Sequence, residues 1–243
     1  MSTHGSIGYV IGRKKRLMDV ECHSEMLWQI CVREIYVLIK HFGSIDILRE
    51  AFENLKETKN KPKNEDIEKC KPFMDLTAEI SDTESWGCLM KNCQHSFINI
   101  LETGYFLNDG KDLGFVFILD FNKNKVFFYE KDLHKKVIEY KNATIEEIME
   151  FDEMPSKSII EIVTEYKERY NNYYTILQKI KEEKDKIIAI INKVKELGGD
   201  ENIIQQTIKL IDDVDWKKKK LDMEYRAFFH RLDALNLIDH NIK

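Results

Sequence analysis

Residues 159–199 read IIEIVTEYKERYNNYYTILQKIKEEKDKIIAIINKVKELGG, and residues 201–235 read ENIIQQTIKLIDDVDWKKKKLDMEYRAFFHRLDAL. In both stretches apolar residues recur at alternating steps of three and four, the spacing of helices that pack along a hydrophobic seam. Gly198 and Gly199 separate the two stretches and predict a turn between them. The sequence therefore predicts a long antiparallel helical hairpin, a coiled-coil arm. The seam positions are Ile159, Val163, Tyr166, Tyr170, Tyr173, Leu177, Ile180, Ile187, Ile191 and Val194 on the first helix, and Ile204, Ile211, Val214, Leu221, Tyr225, Phe228, Leu232 and Leu235 on the second.

Two lysines interrupt these seams, and the predicted register gives each of them acidic neighbours. With the turn at Gly198 and Gly199, Lys184 faces Val214 between two aspartates, and Lys218 faces the opposite helix near two glutamates. A charged residue in a seam fixes the register at a cost in stability. We therefore take Lys184, Gly198, Gly199 and Lys218 as candidate interaction residues of the arm.

Tyrosine and phenylalanine crowd the end of the arm nearest Pro155, in residues 166–174 and 225–229. Their rings are more than a seam of two helices can bury. We expect the surplus to pack against the preceding domain.

The preceding residues predict an α+β domain. Residues 6–20 form a short hairpin, and helices begin at Ser24 and Ser44. Ser81 and Glu84 have the spacing of a reciprocal cap and predict one helix that ends at Gly104. Three strands rich in β-branched and aromatic residues follow at 114–121, 125–130 and 136–140, and the polar stretch 58–71 is an exposed connection. The chain thus divides into residues 1–154, an antiparallel sheet with helices on one face, and residues 155–243, the arm.

The composition limits the class of function. The chain has 38 Lys and Arg against 43 Asp and Glu, a net charge of −5, so no general attraction to nucleic acid or to an anionic membrane is expected. Its five cysteines are odd in number, which favours free thiols in a reducing compartment. No apolar stretch is long enough for a signal peptide or a membrane span. We expect a cytoplasmic protein.

A metal site is weakly suggested by Cys88, Cys93 and His95, with Cys70 upstream. The two nearest thiols lie five residues apart on a predicted helix, and therefore about 140° apart around its axis. Thiolates so placed do not share one ion. We predict no metal and no cofactor.

An alternative reading is a hydrolase with an N-terminal nucleophile. If Met1 is removed, Ser2 carries a free α-amino group that can act as the base for its own hydroxyl. His4 and His23 are near enough in sequence to contribute to such a site. No downstream motif completes an oxyanion hole, so this remains the alternative.

A second alternative is nucleic-acid binding. Arg13, Lys14, Lys15 and Arg16 occupy the predicted turn of the first hairpin, where basic side chains can contact phosphate. The other basic cluster, residues 217–220, wraps around a helix beside several aspartates that cancel much of its charge.

The opening residues carry a resemblance. The stretch Thr3-His-Gly5-Ser-Ile-Gly8-Tyr9-Val10 resembles the N-terminus of a set of uncharacterised proteins of large DNA viruses and phages, which begin with a T-x-G-x-x-G-aromatic strand. The aspartate-rich, proline-containing segment that often follows in that set is not evident here. The resemblance implies a viral source, hence the host cytoplasm or the virion as location, and implies nothing about chemistry.

The leading hypothesis from the sequence is a non-enzymatic protein that contacts a protein partner, or a second copy of itself, through the arm. It rests on the long seam and on the absence of a catalytic motif.

Overall fold

The computed structural model describes residues 4–21, 26–58, 61–74, 84–93, 96–151 and 157–229. An α+β domain with a five-stranded sheet is followed by a long helical hairpin, so the predicted fold class is confirmed. The described strands are β1 (His4–Ile11), β2 (Lys14–Glu21), β3 (Lys56–Glu57), β4 (Tyr105–Phe106), β5 (Gly114–Asp120), β6 (Lys125–Lys131) and β7 (Val137–Thr144). The described helices are α1 (Leu27–Phe42), α2 (Ile45–Glu53), α3 (Asn64–Cys70), α4 (Trp86–Cys93), α5 (Phe97–Thr103), α6 (Ile145–Met149), α7 (Ile159–Glu196) and α8 (Glu201–Phe229).

The large sheet has the order β2-β1-β5-β6-β7. Its neighbours are antiparallel except β1 and β5, which run parallel with Gly5 opposite Phe115 and Val10 opposite Asp120. A parallel pair needs a crossover connection. Helices α1 to α5 lie within that connection, which joins the predicted N-terminal hairpin to the predicted three-stranded meander. The short strands β3 and β4 form a separate parallel pair that the sequence did not predict.

Local caps explain where several helices begin and end. Gly43, in the left-handed region at φ 83°, ends α1, and the Ser44 side chain then accepts a hydrogen bond from the Ile47 N–H at the start of α2. Thr144 and Glu147 form the reciprocal cap of α6 that their spacing predicts. Ser24, the predicted cap of α1, lies outside the described residues.

The single helix predicted from Ser81 to Gly104 is wrong. The structure has two helices there, α4 and α5. Ser96 has an extended backbone, and its side chain accepts a hydrogen bond from the Asn99 N–H, so it caps a new helix where the sequence pattern continued the old one. Within the stretch predicted as an exposed connection, the structure has the helix α3, whose last residue, Cys70, has a fully buried side chain.

One face of the sheet, here the helix face, carries the main core. Tyr9 and Phe117 from the strands meet Phe52 of α2 and Phe97 of α5 there. Glu34 of α1 is buried in this core, and its carboxylate accepts a hydrogen bond of 2.9 Å from the Phe97 N–H. That bond ties the longest core helix to the start of α5.

The other face, here the open face, holds a smaller buried cluster of Leu17, Val116, Ile118 and Tyr129. Residues 108–110 bond to β2, and Asp112 then lies on this side of the sheet. The Gly110 N–H donates to the Leu17 carbonyl at 2.9 Å, and the Asn108 side chain accepts from the Leu17 N–H at 2.8 Å. The β2 edge of the sheet is therefore occupied by the protein's own chain.

Gly8 pairs with Leu17 of β2 and has no room for a side chain. A Cβ at this position would lie 2.0 Å from the Arg16 carbonyl oxygen, a backbone atom that a rotamer change cannot move. We expect Gly8→Ala to lower the free energy of unfolding by about 2 kcal/mol through overpacking. Urea denaturation measures this value.

Gly87→Ala is the matched control. In the α4 helix, a Cβ at Gly87 would have Ser85 Oγ as its nearest neighbour at 3.7 Å, an ordinary contact. Because alanine favours a helix over glycine, this change should be neutral or stabilising by up to about 1 kcal/mol. Equal effects of the two substitutions would contradict the close approach of β1 and β2.

Candidate protein-interaction surface

Helices α7 and α8 form the arm, and side-chain contacts between them fix the antiparallel register. Lys184 Nζ lies 2.6 Å from Asp215 Oδ1, and Lys217 Nζ lies 2.7 Å from Glu183 Oε1. Nearer the domain, the Tyr173 hydroxyl donates to Asp222 Oδ1 at 2.8 Å. At about 1.5 Å per residue, the 38 residues of α7 give a rod about 57 Å long.

The turn lies where the sequence predicts it. Gly198 has φ 70°, in the left-handed region, and its N–H donates to the Lys195 carbonyl. At Gly199, a Cβ would lie 2.5 Å from Val194 Cγ1. Both glycines are thus required by the backbone of the turn. Their predicted role in binding remains a prediction.

The two seam lysines behave differently. Lys184 pairs with Asp215, one of the two aspartates that the register places beside it. The ion pair with Glu183, however, is made by Lys217, and Lys218 is exposed. A one-residue difference turns the side chain about 100° around the helix, which is why the neighbouring lysine reaches the glutamate.

The described apolar residues of the seam are buried or half-buried. Besides Ile159 and Val163 at the start of α7, the buried ones are Tyr173, Ile191, Ile204, Val214 and Leu221. Near the domain, the described Tyr170 and Tyr173 pack within the hairpin rather than against the main core. Tyr173 clusters with Leu221 and with the partly buried Tyr170. Only the first turns of α7 enter the main core, through Ile159, Ile162 and Val163. The side chains of Tyr166, Tyr225, Phe228 and Phe229 lie outside the described part.

Four large apolar side chains near the turn are half or more exposed. They are Ile190 on α7, Leu197 at the C-terminal cap of α7, and Ile203 and Leu210 on α8, here called the tip flank. Within each pair the two residues are seven apart, so they form a row along one side.

The ion pair between Glu183 and Lys217 shows that these two rows share one side of the arm. Glu183 lies seven residues before Ile190 in the first row, and Lys217 lies seven residues after Leu210 in the second. Because Glu183 and Lys217 touch, the rows run side by side. Going toward the turn, the layers are this ion pair, then Ile190 beside Leu210, then Leu197 beside Ile203.

Sequence reasoning missed the tip flank, although its signal was present. The seven-residue spacing of these apolar residues is visible in the sequence, but each lies next to a seam position, and the seam alone was traced. Contiguous exposed apolar surface of this kind marks interaction sites.

The basic turn does not form one patch. Arg13 and Lys14 are exposed at the tip of the β1–β2 hairpin. Lys15 points to the open face, where its Nζ lies 3.2 Å from Asp112 Oδ2, and Arg16 donates to the Tyr9 hydroxyl at 3.0 Å. Alternation along the strand sends these two side chains to opposite faces of the sheet. Phosphate binding by this turn remains a prediction.

Asp112 is the charged centre of the open face. Burial opposes its ionisation, but hydrogen bonds from Tyr129, Lys131 and Lys15 outweigh burial and lower its pKa to about 2. The same arrangement raises the pKa of Tyr129, through burial first and the hydrogen bond to Asp112 second. The cluster holds Asp112 on the open face, directly before β5 begins.

The remaining candidates are only partly described. Ser2 and His23 lie outside the described residues, and His4 begins β1 with its side chain outside the description, so the hydrolase reading remains a prediction. Cys88 is exposed, whereas Cys70 and Cys93 are buried. Burial raises the pKa of the Cys93 thiol, which also shares a hydrogen bond with Cys70. Within the described ranges no three His, Cys, Asp or Glu side chains are grouped so as to hold a metal ion.

Comparisons with protein-family models, with curated proteins and with solved structures found no match to this chain. Over the part of the chain that the structure describes, none of the helices is long and apolar enough to cross a membrane.

Lys184 offers a test of the arm's register. Lys184→Leu should raise the free energy of unfolding by about 1 kcal/mol, because it places an apolar side chain beside the buried Val214, whereas an exposed ion pair contributes little. Far-UV circular dichroism during denaturation follows the arm. Lys186→Leu, at an exposed position outside the seam, should change stability by less than about 0.5 kcal/mol. A loss of stability in Lys184→Leu would contradict its seam position.

Asp112 predicts part of the acid sensitivity of the fold. Its folded-state pKa is lower than the ordinary value near 3.9, so its stabilising contribution is complete above about pH 4 and is lost as the pH falls toward 2. Asp112→Asn should therefore flatten this part of the stability profile, measured by urea denaturation across pH. Asp185→Asn, at an exposed position on the arm, should leave the profile unchanged. Identical acid profiles for wild type and Asp112→Asn would contradict the cluster.

Proposed function

We propose that this protein is a non-enzymatic interaction protein whose helical arm binds a helical segment of a protein partner along the tip flank. The observation that carries the proposal is the exposure of Ile190, Leu197, Ile203 and Leu210 as two parallel rows on one side of the arm.

The spacing of the rows favours a helix as the bound segment. Successive apolar layers are seven residues apart, about 10 Å along the arm, and this is the distance between equivalent positions two turns apart on a third helix. A partner helix with apolar residues at that spacing places one side chain between the two rows in each layer. This is the helix-in-groove mode of recognition.

The charges beside the rows limit where such a helix lies. On the domain side, the apolar rows end at the ion pair of Glu183 and Lys217. At the other end, Leu197 lies at the turn and is the most exposed of the four. The bound segment therefore covers the outer third of the arm and leaves the sheet domain accessible.

Two substitutions on α8 test the proposal. Ile203→Glu with Leu210→Glu places a charge in both apolar layers and should abolish partner binding, because the bound helix would bury unpaired carboxylates. Neither residue belongs to the buried seam, so the stability of the protein should change by less than about 0.5 kcal/mol per site.

The matched control makes the same change in net charge at the residues one position earlier on α8. Asn202→Glu with Lys209→Gln also adds two negative charges, seven residues apart, on an exposed side of α8 turned away from the tip flank. Proximity labelling in the native cell, with the three full-length proteins at equal expression, should show partners shared by wild type and control and lost from the tip-flank variant. The same partners with all three proteins would overturn the proposal.

A further inference from the structure

The sheet has two edges, and the structure treats them differently. Residues 108–110 bond to the β2 edge, as described above. At the other edge, no described element lies beyond β7. Ile138 and Tyr140 of this strand are each more than half exposed. A strand with free backbone donors and acceptors is a template for pairing with another strand.

The backbone bonds show which β7 residues face this edge. The Ile145 N–H donates to the Asn124 carbonyl at 3.0 Å, in register with the pairing of β6 and β7. Hydrogen-bonded pairs alternate along an antiparallel ladder, so Lys141 and Glu139 direct their backbone groups toward β6. Tyr140 and Asn142 direct theirs outward, and Ile138 lies at a bulge where the pairing of β6 and β7 shifts register.

The outward residues and the charges between them suit a second copy of the same strand. In an antiparallel pair centred on Tyr140, the Tyr140 of each copy lies opposite the Tyr140 of the other. Glu139 then lies opposite Lys141 of the second copy, and Lys141 opposite Glu139. These two oppositely charged pairs fall at the non-hydrogen-bonded positions, where facing side chains are closest.

The neighbouring registers are excluded by charge. A shift of the second strand by two residues in one direction places Glu139 opposite Glu139 of the second copy. The same shift in the other direction places Lys141 opposite Lys141 of the second copy. Like charges directly opposite each other destabilise a pair of strands. A shift of one residue fails as well, because it sets outward backbone groups against inward ones.

The open face adds an aromatic contribution. Phe127 and Tyr140 already lie with ring centroids 6.3 Å apart across β6 and β7. With Tyr140 of the second copy next to Tyr140, the rings continue as a row of four across the new strand pair.

We infer that β7 pairs antiparallel with β7 of a second copy of this chain, centred on Tyr140, to form a homodimer with one continuous ten-stranded sheet. Glu139 and Lys141 form an ion pair of 2.6 Å within β7, and in this register the ion pairs of the two copies lie side by side with unlike charges adjacent. This charge complementarity carries the inference. The surface is distinct from the tip flank and does not depend on the proposed function of the arm.

Charge exchange in the full-length protein tests the inference by sedimentation equilibrium. Wild type should be a dimer in reversible equilibrium with the monomer. Lys141→Glu sets Glu139 against a glutamate at two symmetric places and should raise the dimer dissociation constant by about tenfold or more. Glu139→Lys should do the same. The double variant Glu139→Lys with Lys141→Glu restores opposite charges and should dimerise like wild type.

An equimolar mixture of the two single variants provides a second measurement, which remains informative if the double variant fails to fold. Each variant is weakened with itself, but their mixture sets lysines against glutamates and should form a heterodimer. The tip-flank variant Ile203→Glu with Leu210→Glu should dimerise like wild type, which separates this interface from association of the arms. A monomeric wild type at all accessible concentrations, or a dimer that neither charge change weakens, would overturn the inference.

Discussion

The parallel pairing of β1 with β5 is the interaction on which the rest of the domain depends. It joins an N-terminal hairpin to a meander more than a hundred residues later, and it makes one sheet from two local motifs. The crossover returns through β2, because β2 ends and β5 begins at the end of the sheet where β1 begins. The helices between β2 and β5 cover one face, and the main core there brings Phe52 against Tyr9 and Phe117 of the two parallel strands.

The same pairing decides what each edge and face of the sheet can do. The end of the crossover passes along β2, and its residues 108 to 110 take up the backbone groups of that edge. Asp112 holds the segment on the open face through Tyr129 and two lysines. The strand added last, β7, has no described neighbour beyond it. The edge that we infer to be a dimer interface is thus the one that the crossover leaves uncovered.

The arm follows a different principle, because its contacts join residues that are close in sequence around a turn. Apolar periodicity was sufficient to locate both helices and the turn, and it placed Lys184 beside an aspartate that it contacts. It did not predict contacts to the single residue. The ion pair with Glu183 is made by Lys217, one position before the predicted Lys218. It also missed the tip flank, because the exposure of Ile190 and Leu210 depends on how α7 and α8 are rotated against each other. In the domain, the capping Ser96 interrupted a helix whose apolar pattern continued.

The sequence by itself determined the fold class, the meander, the caps at Gly43, Ser44, Gly104 and Thr144, and the antiparallel arm, because each of these depends on periodicity or on side chains within a few residues. The tertiary structure alone decided the parallel contact of β1 with β5, the burial of Glu34 against α5, the segment that covers β2 and the exposure of β7. These features bring together residues far apart in the chain, and no local pattern records which distant surfaces meet. The candidate interaction surfaces belong to the second group, since a surface is defined by what the rest of the fold leaves uncovered.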